Sequence, residues 1–168
     1  MTESLDAAAL FRRLHEAEVG YVVVGGFAVI AHGFQRFTKD LDVCPDPAPD
    51  NLARLASMLA DLGARHAGLG DFGPEEFPFD PTDPSQLAEG GNFRLETPLG
   101  DLDVMQWIPG IPGALAYDHL VRGALTAPVH GIPVTVCSLR DLLEMKRTAD
   151  RPQDRIDLER LAVAHGDG

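Results

Sequence analysis

Asp40 and Asp42 stand two positions apart between apolar neighbours, and a third carboxylate, Asp103, lies between Leu102 and Val104 far downstream. Side chains alternate along a strand, so residues 40 and 42 point to one face, with Cα atoms about 6.6 Å apart at ~3.3 Å per residue. Leu41 and Val43 then go to the opposite face and anchor the strand in the core. A neighbouring strand lies ~4.8 Å away, so Asp103 reaches the same place if its strand pairs beside that of Asp40 and Asp42. Carboxylates gathered in this way repel one another and are costly to bury. A divalent cation removes the repulsion, and Mg²⁺ commonly takes one or two carboxylates together with substrate phosphates. Asp101 shares the face of Asp103 by parity but adjoins Gly100 at a turn, and ranks lower. The plain alternative for an Asp-x-Asp pair is a solvated strand edge. A second apolar-Asp-apolar strand and a nearby glycine pair weigh against it.

That pair is Gly25-Gly26, directly after the apolar run at residues 21–24. Glycines lack the Cβ that would keep phosphate oxygens away from backbone N–H groups at a helix N-terminus. Glycine pairs also simply make tight turns, and the spacing matches neither a Walker loop nor a dinucleotide fingerprint. Arg36, Lys39 and Lys146 are candidate phosphate cations by chemistry. The alternative for Arg36 and Lys39 is that they offset nearby acids; for Lys146, on a helix, it is solvation. Thr38 is read as shaping the turn. The six histidines and the two isolated cysteines, Cys44 and Cys137, form no metal spacing, and no Ser/His/Asp arrangement is legible.

The elements that must position these residues are a mixture. Residues 5–18 have helical apolar spacing, with Ser4 as N-cap and Gly20 as the stop. Residues 21–24 read as a strand buried on both faces, residues 27–32 as a short helix, and residues 39–44 as a second strand ended by prolines. Asp50 is placed as the cap of a helix over 51–62 closed by Gly63. Residues 68–91, rich in Gly, Pro and Asp, read as a long acidic loop whose Phe72, Phe77 and Phe79 suggest packing. Residues 92–97 and 100–107 form a hairpin about residues 98–100, and Trp107 is expected to pack the strand end. A weak helix at 114–123 and a strand at 132–137 come next. Ser138 caps a helix over 139–148, and Pro152 opens a last helix to residue 165. Strands and helices with at least one hairpin imply an α/β (α+β) fold with a mixed central sheet flanked by helices.

The 168 residues suit one domain, 1–168, of which 138–165 is a C-terminal helical portion. No run approaches the ~18 apolar residues of a membrane span. The N-terminus has no basic region followed by an apolar one. With two isolated cysteines this points to a cytoplasmic setting. A net charge of −12 argues against extended nucleic-acid binding but leaves room for a small basic pocket, or for docking on a basic partner.

Taken together, Val24-Gly25-Gly26, then Arg36-x-Thr38-x-Asp40-Leu-Asp42, then Leu102-Asp103-Val104 resemble the nucleotidyltransferase superfamily with the DNA polymerase beta-like fold. The closest resemblance is to small bacterial members of the abortive-infection and toxin–antitoxin toxin type. It runs over roughly residues 19–161, and Leu142-x-x-Met-Lys146 with Arg151-Pro-x-Asp154-x-x-Asp157 looks like the tail of those proteins. Position 26 is Gly where many members carry Ser. The resemblance implies transfer of an NMP from an NTP such as ATP to a hydroxyl acceptor on a tRNA, a protein or a small molecule. Asp40, Asp42 and Asp103 would be the catalytic and metal residues, holding Mg²⁺ or alternatively Mn²⁺. Gly25, Gly26 and the backbone of Phe27 would cradle the β- and γ-phosphates. An antitoxin-like protein or a second copy would be the partner. The rival expectation is a catalytically silent fold acting as an interaction or antitoxin protein. A weaker one is an enzyme of tRNA ends.

Overall fold

The structure, a computed structural model, describes residues 4–67 and 79–166. Its strands form one mixed sheet: β1 (Tyr21–Val24), β2 (Asp40–Pro45), β3 (Arg65–His66), β4 (Asn92–Thr97), β5 (Gly100–Met105), β6 (Leu125–Val129) and β7 (Ile132–Val136). Their order across it is β3-β4-β5-β2-β1-β7-β6. The helices are α1 (Ala7–Glu16), α2 (Gly25–Ala31), α3 (Pro49–Leu62), α4 (Pro84–Ala88), α5 (Ala116–Gly123), α6 (Leu139–Ala149) and α7 (Pro152–Ala164). This is the helix-flanked mixed sheet that the sequence predicts. No helix among the described residues is long and apolar enough to cross a membrane.

Strand β2 lies near the middle of the sheet and carries two of the three aspartates. It pairs antiparallel with β1, placing Val24 opposite Asp42. On its other side it runs parallel to β5, with Asp40 opposite Asp101 and Asp42 opposite Asp103. The strand pairing that convergence of the aspartates requires is therefore present. Alternation does the rest: Leu41, Val43, Leu102 and Val104 are fully buried in the core, while the aspartates face the other way. The same core takes Leu10, Phe11 and Leu14 of α1 and Leu55 and Leu59 of α3.

Several boundaries differ from expectation for local reasons. Asp6, not Ser4, caps α1, its Oδ1 accepting the Ala9 N–H at 3.0 Å. The helix stops at Glu16 because Glu18 adopts a positive φ of 58°. Helix α3 opens at Pro49 behind Ala48, so Asp50 lies in its first turn rather than capping it. Within the expected acidic loop, Asp83 and Pro84 start the short helix α4. Phe79 stacks on Phe93 with ring centroids 3.8 Å apart, while Phe72 and Phe77 lie outside the described residues. Strand β6 is unexpected because Pro128 interrupts it; as the outer strand of the β6–β7 hairpin it tolerates the missing N–H. Trp107 lies beyond β5, half-exposed, with its ring against Gly90.

Candidate active site

Asp40, Asp42 and Asp103 converge. One carboxylate oxygen from each lies within 4.8 Å of the others. Asp42 is the most enclosed. Burial, then the facing Asp103, then Asp40 raise its carboxyl from 3.8 to about 7. Asp103 is also raised, by burial and by Asp40, against the opposing pull of Arg94. Its Oδ1 is buried and accepts no hydrogen bond. Asp101 has its carboxyl raised by burial, Asp40 and Glu96, yet its oxygens are not part of the convergent set.

These observations fit a divalent cation. The donors are hard carboxylate oxygens, the kind Mg²⁺ and Mn²⁺ take. Asp103 Oδ1 is buried and accepts no hydrogen bond, its nearest cation being Arg94 Nε at 3.5 Å, and burial with two neighbouring carboxylates raises Asp42 well above the usual carboxylate range. A cation at this point would relieve both.

The glycine turn is shaped by the same carboxylates. Gly25 has φ +69°, and a Cβ there would lie 1.9 Å from Asp42 Oδ2. Only glycine lets the aspartate sit against the start of α2. At Gly26 a Cβ would lie 2.7 Å from Thr38 Oγ1 and 3.4 Å from Arg36 Cζ. Thr38 thus fills the space beside Gly26 while its hydroxyl donates to the Asp40 carbonyl at 3.1 Å. The Phe27 ring packs edge-on against Phe11 at 5.6 Å, so only its backbone is available to the site.

Across the cleft from the aspartates is a cluster of opposite sign. Lys146, expected to be solvated if it had no ligand, is buried, its Nζ 3.0 Å from Asp154 Oδ1 and 2.9 Å from Asp157 Oδ2. Arg36 Nε is 3.1 Å from Asp157 Oδ1, and Arg151 Nε donates to Asp154 Oδ2 at 2.7 Å. Burial opposes ionisation of Asp154, but hydrogen bonds from Arg151 and Lys146 overcome it and hold the carboxyl at about 2. Three cations surround two carboxylates, leaving one positive charge in excess. Lys39 is exposed at the rim and has no ion pair among the described residues. Gly25, Gly26, Arg36, Lys39, Lys146 and Arg151 with Asp40 and Asp42 line one cleft of about 440 Å³.

Two residues of the site are not singled out by the sequence reading. Arg94 on β4 stands opposite Asp103 and reaches both Asp103 Oδ1, at 3.5 Å, and Asp40 Oδ2, at 3.8 Å. The signal exists: once residues 97 and 100 pair across the turn, antiparallel register puts 94 opposite 103. Arg151 belongs to the tail motif but carries no role in it. Its position is fixed by its backbone and side chain both binding Asp154.

No protein-family model matches the chain, and no curated protein matches it. Solved structures do. The lincomycin-bound lincosamide antibiotic adenylyltransferase LnuA superposes with a TM-score of 0.62 at 16% identity, covering 95% of this chain and 98% of that one. The antibiotic-resistance factor ANT(2'')-Ia gives 0.58 at 18% identity, over 95% of this chain and 82% of the other. The chain has the nucleotidyltransferase fold. A Thermotoga maritima protein of the same fold agrees over 94% of both chains at a TM-score of 0.56 and 14% identity.

Proposed function

We propose that this protein is a divalent-cation-dependent nucleotidyltransferase that moves an NMP from an NTP to a hydroxyl acceptor. The observation that carries this reading is the convergence of Asp40, Asp42 and Asp103 beside a glycine turn and facing an excess of positive charge. In this reading the three aspartates hold Mg²⁺. Bound there, the metal would neutralise the triphosphate and support an in-line displacement at its α-phosphorus.

The chain's own groups supply the rest. The Gly25, Gly26 and Phe27 backbone N–H groups, free of helical partners at the start of α2, receive the β- and γ-phosphates. Arg36, Lys146 and Arg151 contribute fixed positive charge, oriented by Asp154 and Asp157 rather than left to find the ligand. Lys39 adds a free ammonium at the rim. Asp103, whose Oδ1 accepts no hydrogen bond and faces only Arg94, would take the proton of the incoming hydroxyl. The nucleophile is the acceptor oxygen; it forms a bond to the α-phosphorus as the bond to pyrophosphate breaks.

Among the structural neighbours, LnuA is a lincosamide antibiotic adenylyltransferase with lincomycin bound, and ANT(2'')-Ia is seen in complex with adenylyl-2''-tobramycin. A small hydroxyl-bearing molecule is accordingly the first acceptor class to test here. The toxin role in a toxin–antitoxin pair is a narrower form of the same reading, with a macromolecular acceptor. Incubation with each α-labelled NTP and Mg²⁺, with small-molecule panels and with lysate, tests both. Label should enter an acceptor with the parent and not with Asp40→Ala plus Asp42→Ala. Equal labelling by the double variant would defeat the proposal.

A further inference from the structure

A second cavity, of about 300 Å³, adjoins the first and is likewise lined by Gly25 and Asp42. Its walls are apolar: Val24 and Met105 from strands β1 and β5, Ile108 from the loop after β5, and Leu142, Met145 and Ala149 from α6. It shares Gly25, Asp42, Lys146, Arg151 and Asp154 with the cationic cleft. The two cavities thus adjoin, one lined by four cations and the other apolar, and they meet at these five residues. A nucleoside triphosphate has this division: a polyanionic tail and a flat, poorly solvated ring system, connected through the sugar.

We propose that the apolar cavity seats the nucleobase of the NTP, and that it selects by ring size rather than by base edge. This rests on the nucleotidyltransferase reading above. The size lies at the small end of the range for small-molecule sites, suited to a ring rather than a whole nucleotide. Apart from the charged residues it shares with the cleft, its walls carry no side chain with a hydrogen-bond donor or acceptor suited to distinguishing an amino from a keto group. Aliphatic and thioether side chains remain, and the methionines adapt their shape to different rings. Purine nucleotides should therefore bind better than pyrimidine nucleotides, with little difference between ATP and GTP. Continuity with the cationic cleft makes the base the occupant. Phe37, 80% exposed at the cleft's outer rim, offers a competing stacking surface, which the test includes.

The experiment is calorimetric titration of the full chain, in excess Mg²⁺, with inorganic tripolyphosphate, ATP, GTP and UTP. Tripolyphosphate needs only the cationic cleft. Ala149 is exposed on the last turn of α6, so Ala149→Trp fills the apolar cavity from its rim without replacing a core side chain. The expected result is that ATP and GTP affinities fall about tenfold in Ala149→Trp, the factor given by withholding roughly 60 Å² of ring surface from burial. Tripolyphosphate affinity stays unchanged, which also shows that the variant is folded, and Phe37→Ala binds ATP as the parent does. Unaltered ATP affinity in Ala149→Trp, or loss confined to Phe37→Ala, would overturn the base seat and leave the NTP reading intact. UTP binding as tightly as ATP would overturn selection by ring size. Failure of the parent to bind either tripolyphosphate or ATP would remove both readings.

Discussion

Replacing Asp42 by Asn should stabilise the metal-free protein and abolish its response to metal. Asp42 is a carboxyl raised from 3.8 to about 7 by burial and by Asp103 and Asp40. Its folded-state value lies above that of the unfolded chain. Its contribution to stability is therefore fully present below about pH 3.8 and is lost as pH rises through about 7. At about 1.36 kcal/mol per pH unit the loss amounts to roughly 4 kcal/mol at pH 8. Asn has the same shape and carries no charge, and it keeps the close approach to Gly25 that the aspartate makes. In EDTA at pH 8 the Asp42→Asn protein should unfold roughly 8–16 °C above the parent, from ~2–4 °C per kcal/mol for a chain of this size. At pH 4 the two should nearly coincide. Saturating Mg²⁺ should then raise the parent, by about 2.7 kcal/mol at a hundredfold excess over Kd, and leave the variant almost unmoved. Thermal unfolding followed by circular dichroism at the two pH values, with and without Mg²⁺, reads all four quantities. A parent equal to or more stable than the variant in EDTA at pH 8 would mean that the carboxylate repulsion is already relieved in the protein alone.

Other outcomes stem from the same geometry. Arg94→Ala should increase Mg²⁺ affinity several-fold in a metal titration, since the guanidinium competes for Asp103 and Asp40; a decrease would make Arg94 part of the cation site instead. Asp154→Ala should cost about 3 kcal/mol in denaturant unfolding near pH 7, because it strips a partner from buried Lys146. Because the folded-state carboxyl lies at about 2, the parent's advantage over this variant should hold above about pH 4 and fade as pH falls through about 2. Gly26→Ser should destabilise by about 1–3 kcal/mol through the clash with Thr38, and Thr38→Ala should recover most of it in the double variant. Additive losses would mean that the two side chains do not share that space.

The aspartate site is legible in the sequence because alternation along a strand needs only parity, and the apolar residues at 41, 43, 102 and 104 declare which face is inside. What parity cannot supply is which strands are neighbours; the parallel β2–β5 pairing crosses some sixty residues of sequence and appears only in the fold. The fate of Lys146 is hidden for a related reason. Burial of a helix lysine is favourable only with carboxylates around it, and Asp154 and Asp157 come from another helix. Weak elements escape because their signals are short. β3 has two residues, α4 has five, and β6 contains a proline that reads as a break. The apolar cavity escapes for another reason: one face of α6 meets single residues of β1, β5 and the loop after β5, and that meeting exists only in the fold.

Whether residues 40, 42 and 103 form one cation site in which an NTP is held is decided by crystals grown with Mn²⁺ and a non-hydrolysable NTP analogue, through the anomalous signal of the metal. A peak is expected within ligand distance of all three carboxylates, shared with phosphate oxygens of the analogue. A bound analogue with no peak there, or with Mn²⁺ held elsewhere on the chain while Arg94 stays seated on Asp103, would show that the three aspartates are not the metal site.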